Sequence, residues 1–216
     1  MGEELEPRVV VIGDSLIYGR GDAVAGGWVS LLRRWLEAEG PARTAVFNLG
    51  IGGETSAGIL GRIAAECERR TPNAVIIGLG ANDLARPGPD GPCAVPIDDF
   101  SENITRCVAT VSRLGARALL AGVIPVDESR TRPHNDLFYS NDDAREYDQA
   151  LRAVAQREGA GHVPLAAAVA LADPREHRWQ GDPELFSDGI HPNTAGYAAM
   201  YRLARASLAA VFNLQA

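Results

Sequence analysis

The sequence predicts an α/β fold: a parallel sheet with helices on both faces. Short apolar, β-branched runs alternate with stretches of 12 to 19 residues whose apolar positions recur at i, i+3 and i+4, the pattern of strands joined by crossover helices. The first of these runs, Val9–Ile12, is apolar throughout, as suits a strand with helices on both sides of its sheet. At 216 residues the chain is expected to form one domain, residues 1–216, with enough length to bury a full core.

Residues 9–12, Val-Val-Val-Ile, form the first strand, and Gly13 turns the chain so that Asp14 and Ser15 stand where that strand leaves the sheet. Ligands bind at the carboxyl ends of strands in open α/β sheets, which is where a working serine is expected. Residues 17–27 then read as a Gly-rich loop. A helix is predicted over 28–39, with Trp28, Leu31, Leu32, Trp35 and Leu36 on one apolar face and Gly40-Pro41 as its stop. The second strand, 44–49, runs into Gly50-Ile-Gly-Gly53. Residues 54–70 are expected to be helical, with Ile59, Leu60, Ile63, Ala64 and Cys67 inward and Thr71-Pro72 ending the helix. The third strand, 74–79, leads to Gly80-Ala-Asn-Asp83.

Four prolines and two glycines make 84–97 a surface loop. A helix over 98–114 and a strand over 117–124, cut off by Pro125, come next. The polar stretch 126–141 reads as a long loop of functional length. A helix over 142–158, a short strand over 162–165 and a brief helix over 166–171 follow. A polar stretch, 173–187, leads to Asp188-Gly-Ile-His-Pro-Asn193, and a helix over 194–212 closes the chain.

Composition narrows the function. A net charge of −7, with 21 scattered Lys and Arg, argues against a nucleic-acid backbone binder. The N-terminus is acidic where a secretory signal would be basic, and no stretch approaches the roughly 20 apolar residues of a membrane span. Cys67, Cys93 and Cys107 are odd in number and lack metal-like spacing, so reduced thiols and a cytoplasmic location are expected.

A serine hydroxyl needs a base to remove its proton during attack, and His191 is the best base available for Ser15. Asp188, three residues upstream, can orient the imidazole and stabilise its charged form, and Pro192 stiffens the turn. Attack on a carbonyl also needs donors for the developing oxyanion. The backbone N–H of Gly53, the side-chain amide of Asn82 and the N–H of Ser15 itself are candidates. By themselves Asp-x-x-His, the glycines at 50–53 and Asn82-Asp83 read equally as ordinary turns. Competing signatures are absent: Thr55 stands where a dinucleotide fingerprint needs glycine, no P-loop lysine follows a Gly-rich turn, and Ser15 is not in a Gly-x-Ser-x-Gly elbow. His134, His162, His177 and His191 show no zinc-site spacing.

Four separated segments together resemble the GDSL, or SGNH-hydrolase, family of esterases and lipases. Gly13-Asp-Ser-Leu16 matches the block carrying the nucleophile, here Ser15. Asn48-x-Gly-x-x-Gly53 resembles the second block, with Gly53 as donor and Gly52 beside it. Gly78-x-Gly-x-Asn82 is similar to the third, with Asn82 as donor, and Asp188-x-x-His191 matches the block with the remaining triad members. The blocks occur in family order between residues 13 and 193. The resemblance implies a flavodoxin-like three-layer α/β/α sandwich with about five parallel strands. It also implies a Ser-His-Asp esterase acting on small-molecule or lipid esters or thioesters, with no metal or organic cofactor. An acyltransferase using the same acyl-enzyme is the alternative, and a catalytically silent binding domain a more distant one. Loops 84–97 and 126–141 are where specificity is expected to be set. Oligomeric state is not legible.

Overall fold

The computed structural model describes residues 7–38, 44–171 and 179–212. The predicted helix stop at Gly40-Pro41, the N-terminal residues 1–6 and part of the polar stretch after 171 lie outside them. Five parallel strands form one sheet in the order β2-β1-β3-β4-β5. They are β1 (Arg8–Gly13), β2 (Ala45–Gly50), β3 (Ala74–Gly78), β4 (Arg117–Ala121) and β5 (Gly161–Val163). The helices are α1 (Ser15–Tyr18), α2 (Gly27–Ala38), α3 (Ser56–Arg70), α4 (Ile97–Arg113), α5 (Asn141–Glu158), α6 (Ala166–Val169) and α7 (Thr194–Phe212).

Alternation of side chains along β1 divides the core in two. Val10 and Ile12 join Val75, Ile77 and Leu120 beneath α3, α4 and α5, whose Ile59, Ile63, Ile104 and Leu151 close that face. Val9 and Val11 join Ile76 and Leu119 on the other face, covered by Trp28 and Leu32 of α2 and Tyr197, Met200 and Leu208 of α7. The result is the expected three-layer α/β/α sandwich.

Register matters most for function. Gly13 pairs with both Gly50 and Gly78, and Gly78 pairs with Ala121, so four strands end at one level. Because β1 lies between β2 and β3, the segments after these three strands emerge side by side.

Four expectations need correction. The chain does not pass from β1 directly into a loop: Ser15–Tyr18 form one helical turn, capped by the Asp14 side chain, which accepts from the Leu16 N–H at 2.8 Å. The helix expected from 54 begins at Ser56, leaving Glu54 in the preceding loop, and Ala64 on it faces solvent. β4 stops at Ala121 rather than 124; residues 122–126 stay buried but leave the ladder after the Gly122 N–H bonds to the Val163 carbonyl at 2.8 Å. β5 spans three residues because its partner ends there.

The loops 84–97 and 126–141 are joined to each other. Arg86 and Phe138 exchange backbone hydrogen bonds at 3.0 and 2.9 Å, and the Arg86 guanidinium donates to both carboxylate oxygens of Asp143 on α5 at 2.6 and 2.8 Å. Thr131 accepts from the Tyr139 N–H at 3.1 Å, and the Asp127 N–H reaches the Gly189 carbonyl at 2.9 Å. No helix among the described residues is long and apolar enough to cross a membrane.

Candidate active site

Ser15 opens α1 at the carboxyl end of β1, and its Oγ lies 2.9 Å from His191 Nε2. On the other side of the ring, His191 Nδ1 lies 2.7 Å from Asp188 Oδ2. A carboxylate can only accept, so this pairing places the ring proton on Nδ1 and leaves Nε2 to accept from the serine hydroxyl. Asp188 Oδ1 accepts from the backbone N–H groups of Ile190 and His191 at 3.0 and 2.8 Å. Burial opposes the charged form of Asp188, but the hydrogen bonds from the His191 side chain and backbone outweigh it and hold the carboxyl well below its ordinary range. Ser15 and His191 are both buried, at 6% and 7% exposure, so little water competes for this chain of bonds.

The turn bearing His191 is fixed from several sides. Ser187 donates to the His191 carbonyl through its N–H and its Oγ, at 2.8 and 2.9 Å. Asn193 Oδ1 accepts from the N–H groups of Ala195 and Gly196 and so caps α7. The loop after α1 packs against the turn at Gly21, whose φ is +96°. A Cβ there would lie 2.5 Å from Ser187 Oγ, 2.7 Å from the Pro192 carbonyl oxygen and 3.1 Å from His191 Cβ. Buried Asp22 ties the same loop to α7, accepting from Thr194 Oγ1 at 2.7 Å and from the Gly27 N–H at 3.1 Å.

The other expected oxyanion donors, Gly53 and Asn82, lie on the segments that leave β2 and β3, the two neighbours of β1 in the sheet. Among the described residues, neither the Ser15 nor the Gly53 N–H has a protein acceptor. Gly53 has φ +82°, a backbone region that suits glycine, and open space where a Cβ would stand. Asn82 Nδ2 donates to the Glu54 carbonyl at 2.9 Å, which uses one of its two hydrogens and fastens the segment after β3 to the segment after β2.

The neighbouring acids were not singled out from the sequence. Asp83 Oδ1 accepts from the Ser56 N–H at 2.9 Å, and Asn103 Nδ2 donates to Ser56 Oγ at 3.0 Å. Burial pushes the Asp83 carboxyl up to about 6, against the Ser56 hydrogen bonds. Burial likewise pushes Asp14 up to about 7, with the negative charges of Asp83 and Glu54 adding to it. Among the described residues, no group of three or more His, Cys, Asp or Glu side chains is arranged to hold a metal ion.

Residues 11–199 match the GDSL-like lipase/acylhydrolase family. The chain belongs to that family. It is 33% identical over 115 residues to esterase TesA of Pseudomonas aeruginosa, a match covering 53% of each chain. It is 28% identical over 160 residues to the isoamyl acetate-hydrolyzing esterase of Saccharomyces cerevisiae, covering 70% of this chain and 63% of that one. The matches thus span little more than half the length of these curated relatives. Its fold is shared with the lipase/acylhydrolase from Enterococcus faecalis, at a TM-score of 0.75 and 23% identity, over 97% of this chain and 99% of that structure.

Proposed function

We propose that this GDSL-family protein hydrolyses carboxylic esters through an acyl-Ser15 intermediate. The single observation that carries the reading is the continuous chain of hydrogen bonds Ser15–His191–Asp188 at the carboxyl edge of the sheet. Ser15 Oγ attacks the ester carbonyl while His191 Nε2 takes its proton, and Asp188 stabilises the imidazolium. The oxyanion is held by the N–H groups of Ser15 and Gly53 and the free amide hydrogen of Asn82. Collapse breaks the bond to the alcohol oxygen, which leaves with the proton from His191. Water, deprotonated by the same nitrogen, then attacks the acyl-serine and releases the acid.

The acyl side of the substrate is short in this reading. One relative is named for hydrolysing isoamyl acetate, an acetyl ester. The test combines a fluorophosphonate probe with a p-nitrophenyl ester series from acetyl to octanoyl. Wild type should be labelled and Ser15→Ala should not, with turnover falling by as much as about 10⁶. Acetyl and propionyl esters should be cleaved fastest. Labelling that persists in Ser15→Ala would remove Ser15 as nucleophile, and a preference for octanoyl would remove the short-acyl reading.

A further inference from the structure

Arg62 lies in the second turn of α3, the helix that follows the segment carrying Gly53, and its side chain is only 18% exposed. Its contacts converge on the proposed oxyanion site. Nε donates to Glu54 Oε1 at 2.7 Å, and one terminal nitrogen reaches Glu54 Oε2. That nitrogen also donates to the Leu49 carbonyl near the end of β2 at 2.8 Å and, more weakly, to the Gly13 carbonyl at the end of β1 at 3.4 Å. The same Gly13 carbonyl accepts from the Ile51 N–H at 2.9 Å. Glu54 follows Gly53 directly, and its own carbonyl accepts from Asn82 Nδ2.

One guanidinium therefore touches the segment leading into Ser15, the strand leading to Gly53 and the residue that holds Asn82. These are the three segments that supply the oxyanion donors. The other terminal nitrogen lies 3.7 Å from Glu66 Oε1, which keeps the group oriented along α3. A planar fork with several donors at fixed angles suits this task, and the ammonium of lysine cannot reproduce it. Preorganised donors stabilise a developing charge because they need no rearrangement when it appears.

We propose that Arg62 is a positioning residue: with Glu54 it sets the mutual spacing of the Ser15, Gly53 and Asn82 donors, without touching substrate. This rests on the esterase reading above. Misplacement of catalytic groups by about 1 Å costs on the order of 10² in rate, so Arg62→Met should lower kcat about 10- to 100-fold. KM should change less than about 3-fold, because the donors act on charge that develops only in the transition state. Arg62→Lys should recover part of the loss, since it restores the charge and one contact.

The deciding measurement is a double-mutant cycle with Asn82→Ala on an acetyl ester, with Tm recorded for each variant. If Arg62 acts through the donor set, Arg62→Met should cost less than about 3-fold once Asn82 is gone. Equal losses in the two backgrounds, or near-normal kcat in Arg62→Met, would overturn the assignment. An Asn82→Ala enzyme with normal kcat would instead show that the oxyanion reading itself had failed. Should Arg62→Met not fold, Glu54→Gln, which keeps the shape but loosens the grip on the guanidinium, carries the same cycle with the same outcomes.

Discussion

Asp14 offers a stability test whose size follows from its surroundings. It is fully buried; Oδ1 caps α1, and Oδ2 has no partner among the described residues. Its carboxyl rises from 3.8 to about 7, chiefly through burial, with Asp83 and Glu54 adding and the Leu16 N–H opposing. Between those two pH values the folded protein holds a proton that the unfolded chain has lost. Stability must therefore fall as pH rises across that window and level off above about 7. Each unit is worth about 1.4 kcal/mol, so this one group removes about 3 kcal/mol between pH 5 and pH 7. An asparagine in its place would still cap the helix and would not titrate. Asp14→Asn should thus gain about 3 kcal/mol on wild type between pH 5 and about pH 7.5, the two differing by no titration term only below about pH 3.8. For a chain of this size that is a Tm difference of about 6–12 °C. Asp83, pushed up to about 6 chiefly by its own burial, adds a slope to both proteins. Thermal unfolding followed by circular dichroism at several pH values and constant ionic strength measures it. Parallel Tm curves for the two proteins would refute the argument.

Three further outcomes are expected. Asn82→Ala should lower kcat by about 10²–10³ with KM little changed, read from steady-state kinetics. Asp188→Asn should depress the plateau of the pH–rate profile by about 10²–10⁴, because the imidazole can then adopt the wrong tautomer. The wild-type profile should show no loss from protonation of Asp188 above about pH 5, since that carboxyl is held well below its ordinary range. Gly21→Ala should reduce kcat and also lower Tm, because its methyl group would press on Ser187, the Pro192 carbonyl and His191 at a φ that alanine rarely adopts; unchanged kcat would show that the turn gives way freely.

Much of this was legible in the chain itself. Val9–Ile12 reads as a strand because it is apolar on both faces, and the two cores bear this out. Helix α2 was recoverable because Trp28, Leu32, Trp35 and Leu36 repeat at helical spacing and bury together. Helix α1 was missed because a single turn has no periodicity to detect; its only signals are the cap at Asp14 and the left-handed Gly19. The end of β4 was misplaced for the opposite reason: residues 122–126 are as buried as a strand, but a three-residue β5 gives them no ladder partner. For the site, Ser15, Asp188 and His191 were named from their types and spacing, and the structure joins them by hydrogen bonds. Gly53 and Asn82 follow the two strands that neighbour β1 because the strand order is 2-1-3, which no local pattern records. Arg62 and Glu54 were invisible as a clamp, since an i, i+8 pair across a helix start looks like ordinary surface charge.

The pairing of Arg86 with Phe138 has an implication for how such enzymes change substrates. Loops 84–97 and 126–141 are stitched into a short ribbon, and the second of them also grips the turn that holds Asp188 and His191 through Asp127 and Gly189. Transplanting one segment from a relative would cut the ribbon and disturb the turn that carries His191, the proposed base, at the same time. New selectivity should therefore come from exchanging both segments together, or from point changes at their tips that leave the Arg86–Phe138 seam intact.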